Sequence, residues 1–181
     1  MEQSDELLME AYRDGDQTAF PALLRRYKSG LYGYLMRMVH NSETAEDLFQ
    51  ETFLRVHQKA HTYRTGARFK SWLFTIATRI AIDSIRKNNR SPETQPFEIE
   101  QTDPAGTPDE QTAQSELRHR VKAAVETLPP KQRAALVLAY YQGHTYPEVA
   151  EIMGCSLGTV KTHMSRALKT LAVKLPQGGL R

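Results

Sequence analysis

The sequence predicts an all-α protein: two small helical domains joined by a flexible, acidic, Pro-rich linker. Three observations carry that expectation. Apolar residues recur at spacings of three and four through both halves of the 181-residue chain. No stretch sustains the alternation of a half-buried strand. One polar segment, SPETQPFEIEQTDPAGTPDEQTAQ, carries four prolines and only Phe97 and Ile99 as larger apolar residues, which is too little to bury a core. The expected organisation is therefore a first domain over 1–90, a linker over 91–112 and a second domain over 113–181, each with chain enough for a modest core.

The first half reads as four helices. Ser4 or Asp5 caps the first, with Leu7, Leu8, Ala11 and Tyr12 spaced as its buried face, and Asp14, Gly15 and Asp16 end it. A second runs from Thr18 to about Val39, striped by Phe20, Leu23, Leu24, Tyr27, Leu31, Tyr34, Leu35 and Met38. A third starts near Ser42 and buries Ala45, Leu48, Phe49, Phe53, Val56 and Ala60, leaving Glu43, Glu46, Asp47, Gln50 and Glu51 on the opposite face. The fourth, from about Phe69 to Asn88, is apolar nearly all round, and most of that set, Trp72 included, reads as core. HTYRTGARF, residues 61–69, connects the third to the fourth as an exposed loop whose Gly66 supplies backbone freedom.

In the second half a helical pattern resumes near Gln111 with Leu117, Val121, Ala124, Val125 and Leu128, and halts at Pro129 and Pro130. It restarts through Ala134, Leu136, Val137, Leu138 and Tyr141 and ends at Gly143. Thr145 and Glu148 then form a capping box with Pro147 in the first turn, and Val149, Ala150, Ile152 and Met153 bury a short helix. Gly154 makes a tight turn, Ser156 caps the next helix, and Leu157, Val160, Met164, Ala167, Leu168 and Leu171 point inward. Two helices joined by a three-residue turn containing Gly form a helix-turn-helix. The opposite arc of the last helix holds Thr159, Thr162, Ser165, Arg166 and Lys169, flanked by Lys161 and His163. Short hydroxyls near its start suit base edges, and longer cations further along suit phosphates.

Charge is segregated. Residues 55–90 hold nine Lys or Arg against one acid, and residues 131–181 seven against two, while 1–54 and 91–130 are acidic. A net charge of +3 says little, but two basic blocks at the ends of two helical units attract a polyanion. Cys155 is the only cysteine, so neither an internal disulfide nor a CxxC zinc site is available. No signal peptide or membrane span is legible, which points to a cytoplasmic chain, and the seven residues after Lys174 leave no room for a C-terminal sensing domain. Catalytic patterns are missing: there is no phosphate loop or nucleophile elbow, and His57 and His61, four apart, have no further ligands beside them. No catalytic residue, metal or cofactor is expected, and Cys155 reads as a small turn residue.

GHTYPEVAEIMGCSLGTVKTHMSRALKTL resembles the C-terminal domain of bacterial RNA polymerase sigma factors of the extracytoplasmic-function group, within the sigma-70 family. AEDLFQETFLRVHQ resembles their polymerase-docking segment, and FKSWLFTIATRIAIDSIRK their minus-10 segment, so three motifs occur in the family's order. An ordinary helix-turn-helix regulator, the nearest rival, has no need of the first two motifs. The resemblance implies an alternative sigma factor that initiates transcription of a stress or envelope-response regulon. It implies docking of Asp47, Gln50, Glu51 and Leu54 on the beta-prime coiled coil, with the beta flap as a second polymerase contact. It implies minus-35 contacts from Ser156, Thr159, Lys161, Thr162, Ser165, Arg166 and Lys169, with Lys161, Thr162 and Ser165 at the base-reading positions. Minus-10 contacts are implied for His61, Tyr63, Arg64, Arg68, Lys70, Trp72, Thr75, Arg79, Arg86 and Lys87, with the loop from His61 to Arg68 holding a flipped base from the melted strand and His61, Tyr63 and Arg64 as the candidates to stack on it or hydrogen-bond it. Many members carry Asn where this chain has Arg79, and Arg where it has Lys161. Factors of this group are commonly held by an anti-sigma partner, often one bound to the membrane.

Overall fold

The computed structural model describes residues 3–89 and 108–175. The described residues form eight α-helices, one 3-10 turn and no strand. In chain order they are α1 (Asp5–Arg13), α2 (Ala19–Val39), α3 (Ser42–Lys59), the 3-10 turn Ala60–Thr62, α4 (Phe69–Asn88), α5 (Pro108–Glu126), α6 (Pro130–Tyr140), α7 (Tyr146–Met153) and α8 (Leu157–Lys174). The all-α expectation holds.

Helix ends follow local chemistry. The Ser4 hydroxyl accepts from the Leu7 N–H at 3.3 Å and Asn41 Oδ1 from the Thr44 N–H at 2.8 Å, so α1 and α3 each satisfy an orphan donor. His40 ends α2 in the left-handed region at φ 55°, with its N–H on the Met36 carbonyl. Gly154 does the same for α7 at φ 60°, a conformation that is strained for any residue with a Cβ.

Helical phase decides burial within each element. In α1 the inner arc runs through Leu8, Met9 and Tyr12. Leu7, which spacing had put on that face, lies about 200° round the helix from Met9 and is 56% exposed. Leu157 and Leu168, also expected to point inward, are exposed, because the core of α8 is the narrower stripe Val160, Met164, Ala167 and Leu171. α4 is apolar all round for a reason: it packs against α2 and α3 on one side and against α6 and α7 on the other. Deep inside, the Tyr34 hydroxyl pairs with Thr78 Oγ1 at 2.8 Å while the Tyr34 ring meets Phe74 edge-on.

α5 starts at Pro108 and so takes in residues 108–112 of the stretch read as linker; proline's fixed φ suits the first turn of a helix. The rest of that stretch falls within 90–107, outside the described residues.

The two halves pack directly on each other. α6 and α7 lie on α4, and α5 and α6 on α2. Arg133 of α6 crosses this boundary. It is 6% exposed, and its guanidinium donates to the carbonyls of Met38, Glu126 and Leu128, the last at 3.2 Å. Two buried histidines sit beside the same boundary. His40 faces Arg133 and Lys122, and neither ring nitrogen finds a partner among the described residues. His144 stacks edge-on against Phe74 of α4 at 5.2 Å, with Lys70 and Glu148 nearby. Burial first, then the neighbouring cations, lowers both imidazoles from the ordinary 6.5 to about 4.

Two outcomes follow from this boundary. Replacing Arg133 with Ala strands three carbonyls and costs about 3 kcal/mol in urea denaturation; an unchanged midpoint removes the guanidinium from the fold's supports. Second, the folded chain refuses protons at His40 and His144 that the unfolded chain accepts. Stability is therefore full above pH 6.5 and falls as the pH drops from there towards 4, by about 1.4 kcal/mol per unit for each histidine. In the double variant His40→Gln/His144→Gln, a denaturation midpoint that declines just as steeply over pH 6.5–5 would rule these rings out.

Candidate nucleic-acid interface

Three surfaces carry the residues singled out from sequence. On α8, Ser156 Oγ accepts from the Thr159 N–H at 3.1 Å and lies 2.9 Å from the Thr159 hydroxyl, which starts the helix cleanly. Lys161, Thr162, Ser165, Arg166 and Lys169 are exposed, with Thr159 half-buried at the rim. The Thr162 hydroxyl donates back to the Gly158 carbonyl at 2.9 Å, so it offers a lone pair and a methyl group outward. His163, flanking this face, is half-buried, and burial beside Lys131 and Arg166 lowers its pKa. α8 packs on α5, α6 and α7, which leaves the polar arc open.

The second surface is the loop before α4 with the first turns of that helix. Its underside is pinned by α1, a contribution not legible in the sequence. Arg13 donates to the Tyr63 carbonyl and to Thr65 Oγ1, both at 3.1 Å. The Gly66 N–H donates to Glu10 at 3.1 Å, and the Phe69 N–H to Glu6 at 3.3 Å. Glu6, Glu10 and Arg13 recur at four and three along one side of α1, the only hint of a shared task. Gly66, at φ 79°, turns the chain over this support.

Tyr63 was expected to meet a base directly, but it is 2% exposed. Its ring lies edge-on to Trp72 at 5.2 Å and to Phe69 at 6.3 Å, and its hydroxyl donates to the Ala67 carbonyl. Desolvation pushes that phenol up to about 12, so it stays a donor. The aromatic packing draws Tyr63 beneath the loop, where it sets the loop's shape from inside, while His61, Arg64 and Arg68 remain on the outside. Trp72 and Thr75 are half-buried, the latter bonded to the Ser71 carbonyl at 2.8 Å. Arg79, Arg86 and Lys87 are exposed further along α4.

Arg68 and Lys70 point elsewhere. Arg68 pairs with Glu148 of α7, and Lys70 Nζ donates to the Gln142 carbonyl at 2.8 Å. Glu148 is the same residue that closes the capping box, its Oε2 accepting from the Thr145 N–H at 2.8 Å; those bonds and Arg68 hold its carboxyl below the usual range.

The third surface is the outer face of α3. Asp47 and Gln50 are exposed, Glu51 pairs with Arg55 at 2.7 Å, and Leu54, 55% exposed, puts an apolar side chain among these polar groups. Among the described residues no cluster of His, Cys, Asp and Glu could hold a metal, and no helix is long and apolar enough to cross a membrane.

A helix-turn-helix with an open polar face, and a separate basic loop and helix on the same small helical scaffold, define a protein that grips nucleic acid at two places. Comparison with known families agrees: residues 23–91 match the model of sigma-70 region 2, and residues 118–171 that of sigma-70 region 4. The RNA polymerase sigma factor CarQ of Myxococcus xanthus is 35% identical over 90% of this chain and 92% of its own. The extracytoplasmic-function sigma factor SigW of Bacillus subtilis is 30% identical over 90% and 92%. Among solved structures, the sigma factor RpoE of Bartonella quintana, in complex with the anti-sigma factor NepR, superposes with a TM-score of 0.69 at 28% identity, over 88% of this chain and 98% of that one. The chain belongs to the extracytoplasmic-function group of the sigma-70 family. It acts in transcription initiation as an alternative sigma factor of RNA polymerase.

The Ser156 cap yields the prediction of this surface. Ser156→Ala removes the acceptor for the Thr159 N–H and lowers stability by about 1 kcal/mol. Ser156→Asp, which keeps an acceptor, restores it; a melting temperature that Ser156→Ala leaves unmoved would contradict the cap.

Proposed function

We propose that α8 reads the minus-35 element through Lys161, Thr162 and Ser165, with Ser156, Thr159, Arg166 and Lys169 on the flanking backbone. The observation that carries this assignment is the open arc of α8, where Lys161, Thr162, Ser165, Arg166 and Lys169 are exposed opposite a continuous buried stripe. Lys161 donates to guanine O6 and N7, Thr162 offers a lone pair and a methyl group, and Arg166 serves as a phosphate contact. At the other site, His61 and Arg64 on the outer side of the loop meet an unpaired minus-10 base, while Arg68, Lys70, Arg79, Arg86 and Lys87 hold the backbone of the melted strand. Extruding a base costs a few kcal/mol, which stacking and phosphate contacts offset without ATP. Trp72, Thr75 and the buried Tyr63 give that loop its shape.

Asp47, Gln50, Glu51 and Leu54 of α3 dock on the beta-prime coiled coil, and the second domain meets the beta flap. The protein works by binding rather than by catalysis, in the cytoplasm where polymerase and chromosome are. An anti-sigma factor, membrane-bound or not, holds it until a stress or envelope signal arrives; a bound anti-sigma in the solved RpoE relative supports that partner class.

The test is transcription from a genomic fragment library with core polymerase, with and without this protein, followed by binding of the promoters it activates. Lys161→Ala lowers promoter affinity by about 1–3 kcal/mol with altered base preference, whereas Arg166→Ala weakens all sequences alike and reduces the salt slope by about 1. If both variants keep wild-type affinity and preference at fixed salt, the assignment of α8 fails. In a polymerase-binding assay Leu54→Asp lowers affinity at least tenfold with the fold intact; unaltered affinity moves the docking patch off α3.

A further inference from the structure

The loop assigned to the minus-10 base hangs from α1. Residues 64–67 close a tight turn: the Ala67 N–H donates to the Arg64 carbonyl at 3.0 Å, and Gly66, third in the turn, has the positive φ, 79°, that a type II turn requires. The middle of that turn is taken up by α1. Glu10 accepts from the Gly66 N–H and Arg13 Nη1 donates to Thr65 Oγ1, each at 3.1 Å, and the same Nη1 reaches the Tyr63 carbonyl just before the turn. The Thr65–Gly66 peptide is the plane whose rotation separates one turn type from another. With its N–H held on Glu10, this trans peptide directs the Thr65 carbonyl away from α1.

The helix that makes these contacts is itself fixed. Asp5 accepts from Arg26 Nη1 and from the Tyr27 hydroxyl of α2, both at 2.6 Å, and the Tyr12 hydroxyl pairs with His57 of α3. Asp14 takes Nε and Nη2 of Arg13 at 2.8 and 3.2 Å, which leaves Nη1 aimed at the loop. Glu6, Glu10 and Arg13 are half-buried, and two carboxylates beside a DNA-binding loop repel phosphate rather than bind it. Their oxygens meet backbone N–H groups instead, Glu10 in the turn and Glu6 at the first residue of α4. The task these side chains share is directed at the protein and not at the nucleic acid.

We propose that Glu10 and Arg13 are positioning residues for the minus-10 base: by locking the Thr65–Gly66 peptide they set which base the loop accepts, without touching DNA. This rests on the reading of residues 61–68 as the pocket for that base. Selectivity then has two layers, with His61 and Arg64 meeting the base and α1 deciding where they stand. A loop free to rotate its central peptide adapts to several bases and discriminates poorly. One held in a single turn geometry makes the wrong base leave a polar group unpaired.

The test uses holoenzyme assembled from core polymerase and the full chain, on a promoter that starts only when the wild-type protein is present. Each minus-10 position is made A, C, G and T in turn, and transcription is read as the ratio between the best base and the next. The captured position is the one whose ratio collapses in His61→Ala or Arg64→Ala. At that position Glu10→Ala and Arg13→Ala each lower the ratio about three- to tenfold, the worth of one or two hydrogen bonds, and leave the other positions and the affinity for a minus-35 duplex unaltered. Glu10→Gln keeps an acceptor for the Gly66 N–H and restores the ratio to within about twofold of wild type. Thr65→Val, which removes the Arg13 acceptor from the loop side, repeats the Arg13→Ala result should that variant fail to fold. Ser4→Ala is the control: it removes the acceptor for the Leu7 N–H, lowering the melting temperature without touching the loop, and keeps the wild-type ratio. Glu10, Arg13 and Thr65 variants that lose melting temperature but keep the ratio overturn the proposal, as does a Ser4→Ala ratio that falls as far as theirs. If neither His61→Ala nor Arg64→Ala changes any ratio, the pocket reading falls and takes the proposal with it; if they change one and the α1 variants do not, the proposal alone falls.

Discussion

Arg133 is the interaction on which the rest of the arrangement depends. A guanidinium does not give up its proton, so burying one calls for acceptors, which Nη1 and Nη2 of Arg133 find while Nε has none among the described residues. Here all the acceptors are main-chain carbonyls: Met38 in the last turn of α2, Glu126 at the end of α5, and Leu128 in the turn leading to α6. Carbonyls at helix C-termini are the orphans of helix geometry and carry the negative end of the macrodipole. One cation therefore satisfies the ends of two helices from different halves of the molecule. Burial lowers its pKa, but from a value so high that the charge remains. His40, next to it, stays neutral first because burial denies its charged form water, and then because the same cation and Lys122 already fill the site with positive charge. The boundary between the halves is thus organised by charge, and hydrophobic burial fills in around it.

The minus-10 loop shows the same division of labour at smaller scale. Its outer residues face solvent, while its shape comes from groups that never reach the surface. Tyr63 packs against Trp72 and Phe69, and Glu6, Glu10 and Arg13 of α1 take up the loop's backbone donors and acceptor from below. In the role proposed for this loop, a pocket for one extruded base is best preformed, since the gain from capture must exceed the cost of unstacking. Rigid support from a neighbouring helix meets that requirement, and it explains why a nine-residue α1 lies across the start of α4.

Much of this architecture was legible from the chain alone, for reasons that can be stated locally. Ser4, Asn41, Thr145 with Glu148, Gly154 and Ser156 are short-range signals whose partners lie within four residues, and the periodic stripes of α2, α3 and α8 follow from a single helical period. What escaped depends on contacts distant in sequence. Tyr63 looked like a free aromatic in a polar loop, and only its neighbours across the turn show that it is core. Leu7 and Leu168 sit one position off the buried arc, beside Leu8 and Ala167, which spacing cannot resolve when apolar residues are adjacent. Arg133 appeared to be one more cation in a basic block, because nothing nearby in sequence reveals that a carbonyl 95 residues away awaits it. The all-round apolar character of α4 was visible, but it was not legible that its second face is covered by the other half of the chain.

The closed packing has an energetic logic that favours many weak contacts over one strong one. Arg68 is largely exposed, and an ion pair of that kind contributes about 0.2–1 kcal/mol. The cation over Tyr141, the Lys70 and Gln142 bonds and the buried His144 each add a comparable increment. Summed, they hold the halves together by a few kcal/mol, which a polymerase interface of ordinary size can exceed. Arg133 is the exception: its Nη1 has the Met38 carbonyl of α2 as acceptor, while Nη2 bonds Glu126 and Leu128 within its own half, so parting α6 from α2 would leave Nη1 to find water.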